Sequence, residues 1–133
     1  MQNLLYALIQ SVHNLGAVTI VGVSAYGLFF SLGYYKRILA TVLSLTWGVQ
    51  GLTGGTFGLT TFYYYHQLPD IHGVAIIALV IKIICVMLGF SVAAIYAIWC
   101  SKFSPALDRM VWALLFFLGL LALSSAAFLR WFS

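Results

Sequence analysis

The chain has 133 residues, of which 64% are hydrophobic and only 6% charged. A mean hydropathy of +1.09 excludes a soluble globular domain, because so short a chain cannot bury that much apolar surface away from water. The net charge of +4 rests on eight charged side chains and builds no basic patch of the kind that neutralises nucleic-acid phosphates.

One domain over residues 1–133 fits this length. The first apolar segment, residues 4–32, follows Met1-Gln2-Asn3. With no basic start and no small-residue cleavage site, it reads as a retained span and not as a removable signal. Its early part carries Gln10, Ser11, His13 and Asn14. The second segment, residues 38–65, holds Gly48, Gly51, Gly55 and Gly58 at spacings of three, four and three. That spacing puts them on one helical face. Gly51 with Gly55, and Gly54 with Gly58, are small-xxx-small pairs suited to close helix contact. The same glycine face would also leave a slot for the edge of a planar cofactor, with Gln50 and Thr53 as nearby polar groups that could bond a quinone or a neighbouring helix. The third segment, residues 73–100, is interrupted by Lys82 within Ile81-Lys82-Ile83. The fourth covers residues 107–132.

Each segment has 26 to 29 residues, against about 20 needed to cross a bilayer core. The connections, residues 33–37, 66–72 and 101–106, are short and favour antiparallel neighbours. The expected fold is an all-α membrane protein, an antiparallel up-down bundle of four transmembrane helices. Aromatic residues make up 17% of the chain, which suits interfacial belts such as Tyr63, Tyr64 and Tyr65. Cys85 and Cys100 lie fifteen residues apart in one segment, more than about 20 Å along a helix. They cannot bridge each other and read as packing residues.

Lys36, Arg37, Lys102 and Arg109 gather at one side, against Arg130 alone at the other. The positive-inside rule makes the Lys36 side cytoplasmic. Both termini and the 66–72 loop then face outward, into the periplasm of a bacterial cytoplasmic membrane. His13, His66 and His72 fall on that outer side, with Lys82 ten residues past His72, about 15 Å deeper if helical.

Ionisable groups inside a membrane are costly and tend to mark function. Lys82 has two readings: snorkelling to the headgroups, or pairing with an anion. Asp70 could supply that anion if its loop folds back; otherwise a haem propionate, a lipid phosphate or a partner subunit could. His13 reads either as part of an interfacial polar patch or as an axial haem or metal ligand. His66 and His72 are loop histidines or, with His13 and Asp70, an N/O metal site suited to copper or zinc. For a haem, His72 is the preferred second ligand because it shares its helix end with Lys82. Serine-type catalysis is not expected: Ser11 lies near His13, but Asp70 is the sole candidate orienter and no nucleophile elbow is present. Neither is a phosphate loop or a dinucleotide-binding pattern.

Three stretches carry a family resemblance: His13-Asn14-Leu15-Gly16-Ala17, Leu52-Thr53-Gly54, and Ala78-Leu79-Val80-Ile81-Lys82-Ile83-Ile84. They resemble the four-helix core shared by the copper-resistance D (CopD) family and the membrane-bound protoporphyrinogen oxidases of the HemJ type. The resemblance implies a haem-, porphyrin- or copper-handling membrane protein, with His13 and Lys82 at the positions of a first-span histidine and a third-span lysine that matter in HemJ-type enzymes. Some features depart from the pattern. The 33–37 loop is short, the fourth span lacks an acidic residue inside it, and CopD proteins carry additional spans and periplasmic parts.

The leading functional expectation is a b-type cytochrome-like membrane protein. It would hold haem b near the outer face through His13 and His72, with Lys82 for the propionates and Gly51 and Gly55 lining the slot. It would carry electrons alone, or as a subunit of a respiratory or oxidase complex that meets a quinone or redox partner. The alternatives are copper passage through His13, His66 and His72, porphyrinogen oxidation, and a cofactor-free accessory subunit. An electron-transfer or accessory role is favoured over a stand-alone enzyme.

Overall fold

The computed structural model describes residues 2–30, 33–66 and 71–132. Four long helices account for most of them: α1 (Gln2–Phe29), α2 (Lys36–Tyr65), α3 (Val74–Trp99) and α4 (Pro105–Phe132), with 3-10 turns at Gly33–Tyr35 and Cys100–Lys102. No strand occurs among the described residues. Three helices start two residues earlier than hydrophobicity alone suggests, α1 among them at Gln2. α2 begins at Lys36, and α4 begins at Pro105, whose fixed φ suits a first helical position. The polar first turn of α4 holds Asp108, which is favourable at a helix N-terminus. His72 does not open α3. It precedes Gly73, whose φ of 55° turns the chain into the helix.

α1, α3 and α4 are long and apolar enough to cross a membrane. α2 is as long, with 30 residues, but is not among the three described helices that meet this criterion. Its composition explains the difference. Thr41, Thr46, Thr53, Thr56, Thr60 and Thr61 lower its apolar character, yet each hydroxyl donates to a backbone carbonyl of its own helix three or four residues back. These polar groups are satisfied locally, as an apolar surrounding demands.

Each helix packs on the next, and α4 closes on α1. The paired residues run in opposite order along neighbouring helices. Tyr6 meets Thr61, His13 meets Thr53 and Gly16 meets Gln50. Gly48 meets Phe90 and Gly51 meets Val86; Gly27 meets Trp112 and Gly119 meets Ile20. The inward stripes follow helical spacing: His13, Gly16, Ile20, Ser24 and Gly27 on α1, and Ala75, Ala78, Cys85, Gly89, Ala93 and Tyr96 on α3. Outward positions are apolar, among them Leu15, Val18, Leu52 and Met87.

Two tryptophans set the helix spacing. A Cβ at Gly89 would fall on the Trp47 indole, and one at Gly27 would fall on the Trp112 indole. Both rings are almost wholly buried, so the glycines let α3 approach α2 and α1 approach α4. At the Lys36 end a polar cluster ties three helices. The Lys36 ammonium pairs with Asp108 Oδ2 at 3.0 Å, the Tyr96 hydroxyl donates to Asp108 Oδ1 at 2.8 Å, and Trp112 Nε1 donates to the Tyr96 oxygen at 3.2 Å.

Candidate functional site

The opposite half of the bundle holds a second polar centre, built on His13. This residue lies on the inward stripe of α1 and is only 8% exposed. Lys82 continues the inward stripe of α3, four residues after Ala78 and three before Cys85. Its helical phase therefore aims it into the bundle. Lys82 Nζ lies 3.2 Å from His13 Nε2. The lysine reaches inward to a histidine, and no anion is among its contacts within the described residues.

The other ring nitrogen, Nδ1, is 2.7 Å from Thr53 Oγ1. The Thr53 hydroxyl has one proton, and it goes to the Val49 carbonyl at 2.7 Å. With that proton on Val49 the oxygen accepts from His13, and this pattern together with the Lys82 donor at Nε2 is the basis for assigning the ring proton to Nδ1. Nε2 then carries a lone pair and accepts from Lys82. The centre is a directed chain from Lys82 through His13 and Thr53 to the α2 backbone. Phe57 meets the imidazole edge-on at 5.8 Å between centroids.

Gln50 secures the histidine from the backbone side. Its amide nitrogen donates to the His13 carbonyl, and a Cβ at Gly16 would collide with that amide. Gly16 thus admits Gln50 and lets α1 and α2 close. On α4, Ser125 is buried and donates to Leu121 O at 2.8 Å. Ile20 meets Gly119, and six or seven residues from that contact, outward on both helices, brings Ser125 level with His13.

The remaining expected site residues separate. A Cβ at Gly51 would stand 3.2 Å from Val86 Cγ1, and one at Gly48 would meet Phe90 at 3.7 Å. Among the described residues nothing lies within 4 Å of a Cβ at Gly55 or Gly58. The four glycines therefore do not share one neighbour: α3 contacts the first two and not the last two. His66 is the exposed C-cap of α2 at a φ of 52°, a left-handed conformation that histidine tolerates better than most residues. It borders a shallow open groove with Leu5, Leu59, Thr60, Phe62, Tyr63 and Tyr64. His72 is exposed before α3, ten residues or about 15 Å along the axis from Lys82. The side chains that touch the His13 imidazole are those of Thr53, Phe57 and Lys82, so the structure joins His13 to Lys82 and not to His72. Asp70 lies outside the described residues. No group of three or more His, Cys, Asp or Glu side chains converges among the described residues.

The chain matches no family model, no curated protein and no solved structure.

Of the two roles expected for Gln50 and Thr53, both residues take the second and bond a neighbouring helix, through His13 of α1. Sequence reasoning missed the Lys36–Asp108–Tyr96–Trp112 cluster. A signal for that cluster existed, because Tyr96 falls on the same α3 stripe as Cys85 and Gly89 and at the same end as Lys36 and Asp108.

Proposed function

We propose that this chain is an integral membrane protein that holds a haem b group at the His13–Lys82 centre and serves in electron transfer, alone or as a subunit of a larger membrane complex. Under this reading all four helices cross the bilayer as an antiparallel up-down bundle, with α2 as the fourth span. The reversed order of contacts between successive helices supports that arrangement. So does the local satisfaction of the α2 threonines. The basic residues at the Lys36 end put that end in the cytoplasm. The termini and the His13 centre then face outward in a bacterial cytoplasmic membrane.

The observation that carries the cofactor reading is the 3.2 Å approach of Lys82 Nζ to His13 Nε2. It unites the two residues that the resemblance to HemJ-type enzymes singles out. The donor chemistry fits a haem. Metal-bound imidazoles characteristically donate their second ring N–H to an oxygen, which fixes tautomer and orientation. Thr53 supplies that oxygen. Nε2 carries the lone pair that accepts from Lys82, and the flexible lysine stem would have to withdraw for that lone pair to bind an iron. His13, through its imidazole, and Lys82, through its ammonium, would be the residues that hold the group. Bound haem supplies one-electron chemistry at its iron. Thr53, Gln50 and Phe57 hold the imidazole; the apolar helix faces exclude water.

A visible spectrum of protein purified from haem-replete cells tests this. A Soret band and a reduced α-band are expected, both lost in His13→Ala. A colourless preparation would overturn the haem reading and leave an accessory subunit stabilised by its polar centre.

A further inference from the structure

Lys82 is only partly satisfied. An ammonium has three N–H donors, and among the described residues its one hydrogen bond goes to His13. No carboxylate reaches it among those residues: Asp108 is held by Lys36 and Tyr96 at the other end of the bundle. Two donors on a cation inside an apolar bundle call for an anionic acceptor.

The seam between α2 and α3 is the route to it. The two helices are in contact where Gly48 meets Phe90 and Gly51 meets Val86. One further turn along both helices puts Gly55 level with Lys82. There, among the described residues, nothing lies within 4 Å of a Cβ at Gly55 or Gly58. Leu52 and Leu59 flank the opening on α2 and are among the more exposed side chains of the chain. An apolar chain can lie along them while its polar head reaches Lys82.

We infer that the His13–Lys82 centre opens sideways to the bilayer at Gly55 and binds the carboxylate of an amphiphile that enters from the surrounding lipid. The inference rests on the same residue pair as the haem reading and deepens it, because carboxylate is the chemistry shared by a free fatty acid and a porphyrin propionate. Lys82 donates to the carboxylate, His13 keeps the ammonium in position, and Gly55 leaves the passage open.

The test uses the full chain in lipid nanodiscs with four probes: a spin-labelled stearic acid, its methyl ester, haem, and haem dimethyl ester. The acid is expected to bind about tenfold or more tightly than its ester, as loss of a partner to a buried charge predicts. Lys82→Met should erase that preference and Lys82→Arg should retain it. Gly55→Leu should weaken the acid without lowering the thermal midpoint. Equal binding of acid and ester by the wild-type protein overturns the inference even if a variant fails to fold, and so does an undiminished preference in a folded Lys82→Met. The haem arm separates the two readings. Acid preference without a Soret band keeps the carboxylate site and removes the haem. A Soret band with equal uptake of haem and its dimethyl ester, together with no preference for the acid, keeps haem and removes the carboxylate site.

Discussion

The Tyr96 hydroxyl donates to Asp108 at 2.8 Å, joining α3 to α4 where Lys36 of α2 takes the second carboxylate oxygen. This phenol has a second role as acceptor for Trp112 Nε1. Removing it therefore leaves two groups short of a partner. Tyr96→Phe is expected to destabilise the bundle by about 2–3 kcal/mol, the usual cost of lost buried hydrogen bonds when one partner is charged. Asp108→Asn keeps an acceptor for Tyr96 and loses only the ion pair. The pair is about a quarter exposed, so its loss should cost about 1 kcal/mol or less. Thermal unfolding in detergent followed by circular dichroism would check the order. An Asp108→Asn variant less stable than Tyr96→Phe would mean that the ion pair, not the phenol, anchors this end.

The glycines of one chain should differ sharply in tolerance. A Cβ at Gly89 meets the Trp47 ring, a rigid group buried to 1% exposure, so the helices must part or the indole must move. Gly89→Ala is expected to cost about 1–3 kcal/mol, the range for overpacking a tight core. At Gly55 the space is open, and alanine brings up to about 1 kcal/mol of helix propensity. Gly55→Ala should be neutral or stabilising in the same melt. Equal loss at both positions would show that the Trp47–Gly89 contact does not set the helix spacing.

Much of this architecture was legible because hydrophobicity and charge are strong signals in a lipid-facing chain. The helix existence, the short connections and the shared end of Lys36 and Asp108 all follow from them. Helix starts were read late because apolar onset is not helix onset: Pro105 and Lys36 begin helices that hydrophobicity alone assigns to Leu107 and Ile38. In the candidate site, the phase of α3 decides what residue spacing only suggests. Ala75, Ala78, Cys85 and Gly89 are buried, so Lys82 on the same stripe points inward. His72 was preferred as a partner for His13 because it shares a helix end with Lys82, but a common end leaves an axial offset of about 15 Å. The glycine stripe misled in a different way. A helical face is continuous, whereas the neighbour that packs against it can cover only half.

The hydrogen bonds at His13 specify a tautomer. Thr53 spends its proton on Val49, so Nδ1 must donate and Nε2 must be bare. Nitrogen NMR of protein labelled at histidine, with the His13 signals assigned by their loss in His13→Ala, should give for His13 a resonance pair of the Nδ1-protonated type that is resistant to exchange. Thr53→Val removes the acceptor and leaves the ring free to flip, at a cost of about 1–3 kcal/mol for a donor left unpaired. A protonated Nε2 with bare Nδ1 in the wild-type protein would reverse the direction of the Lys82–His13–Thr53 chain.

Membrane orientation has a direct readout. Cys85 and Cys100 are both buried, so a membrane-impermeant maleimide should leave the wild-type protein unmodified. Tyr34, at 86% exposure, and Trp131, at 84%, mark opposite ends of the bundle. Outward termini and a cytoplasmic Lys36 end require that Trp131→Cys be labelled on intact cells and Tyr34→Cys only after permeabilisation. The reverse pattern would invert the topology and bring the His13–Lys82 centre toward the cytoplasmic leaflet, where a carboxylate ligand would have to enter from that side. Labelling of both cysteines on intact cells would mean that one of α2, α3 and α4 does not cross, with α2 the one that falls outside the apolar criterion, and the lateral opening at Gly55 would then face something other than the outer leaflet.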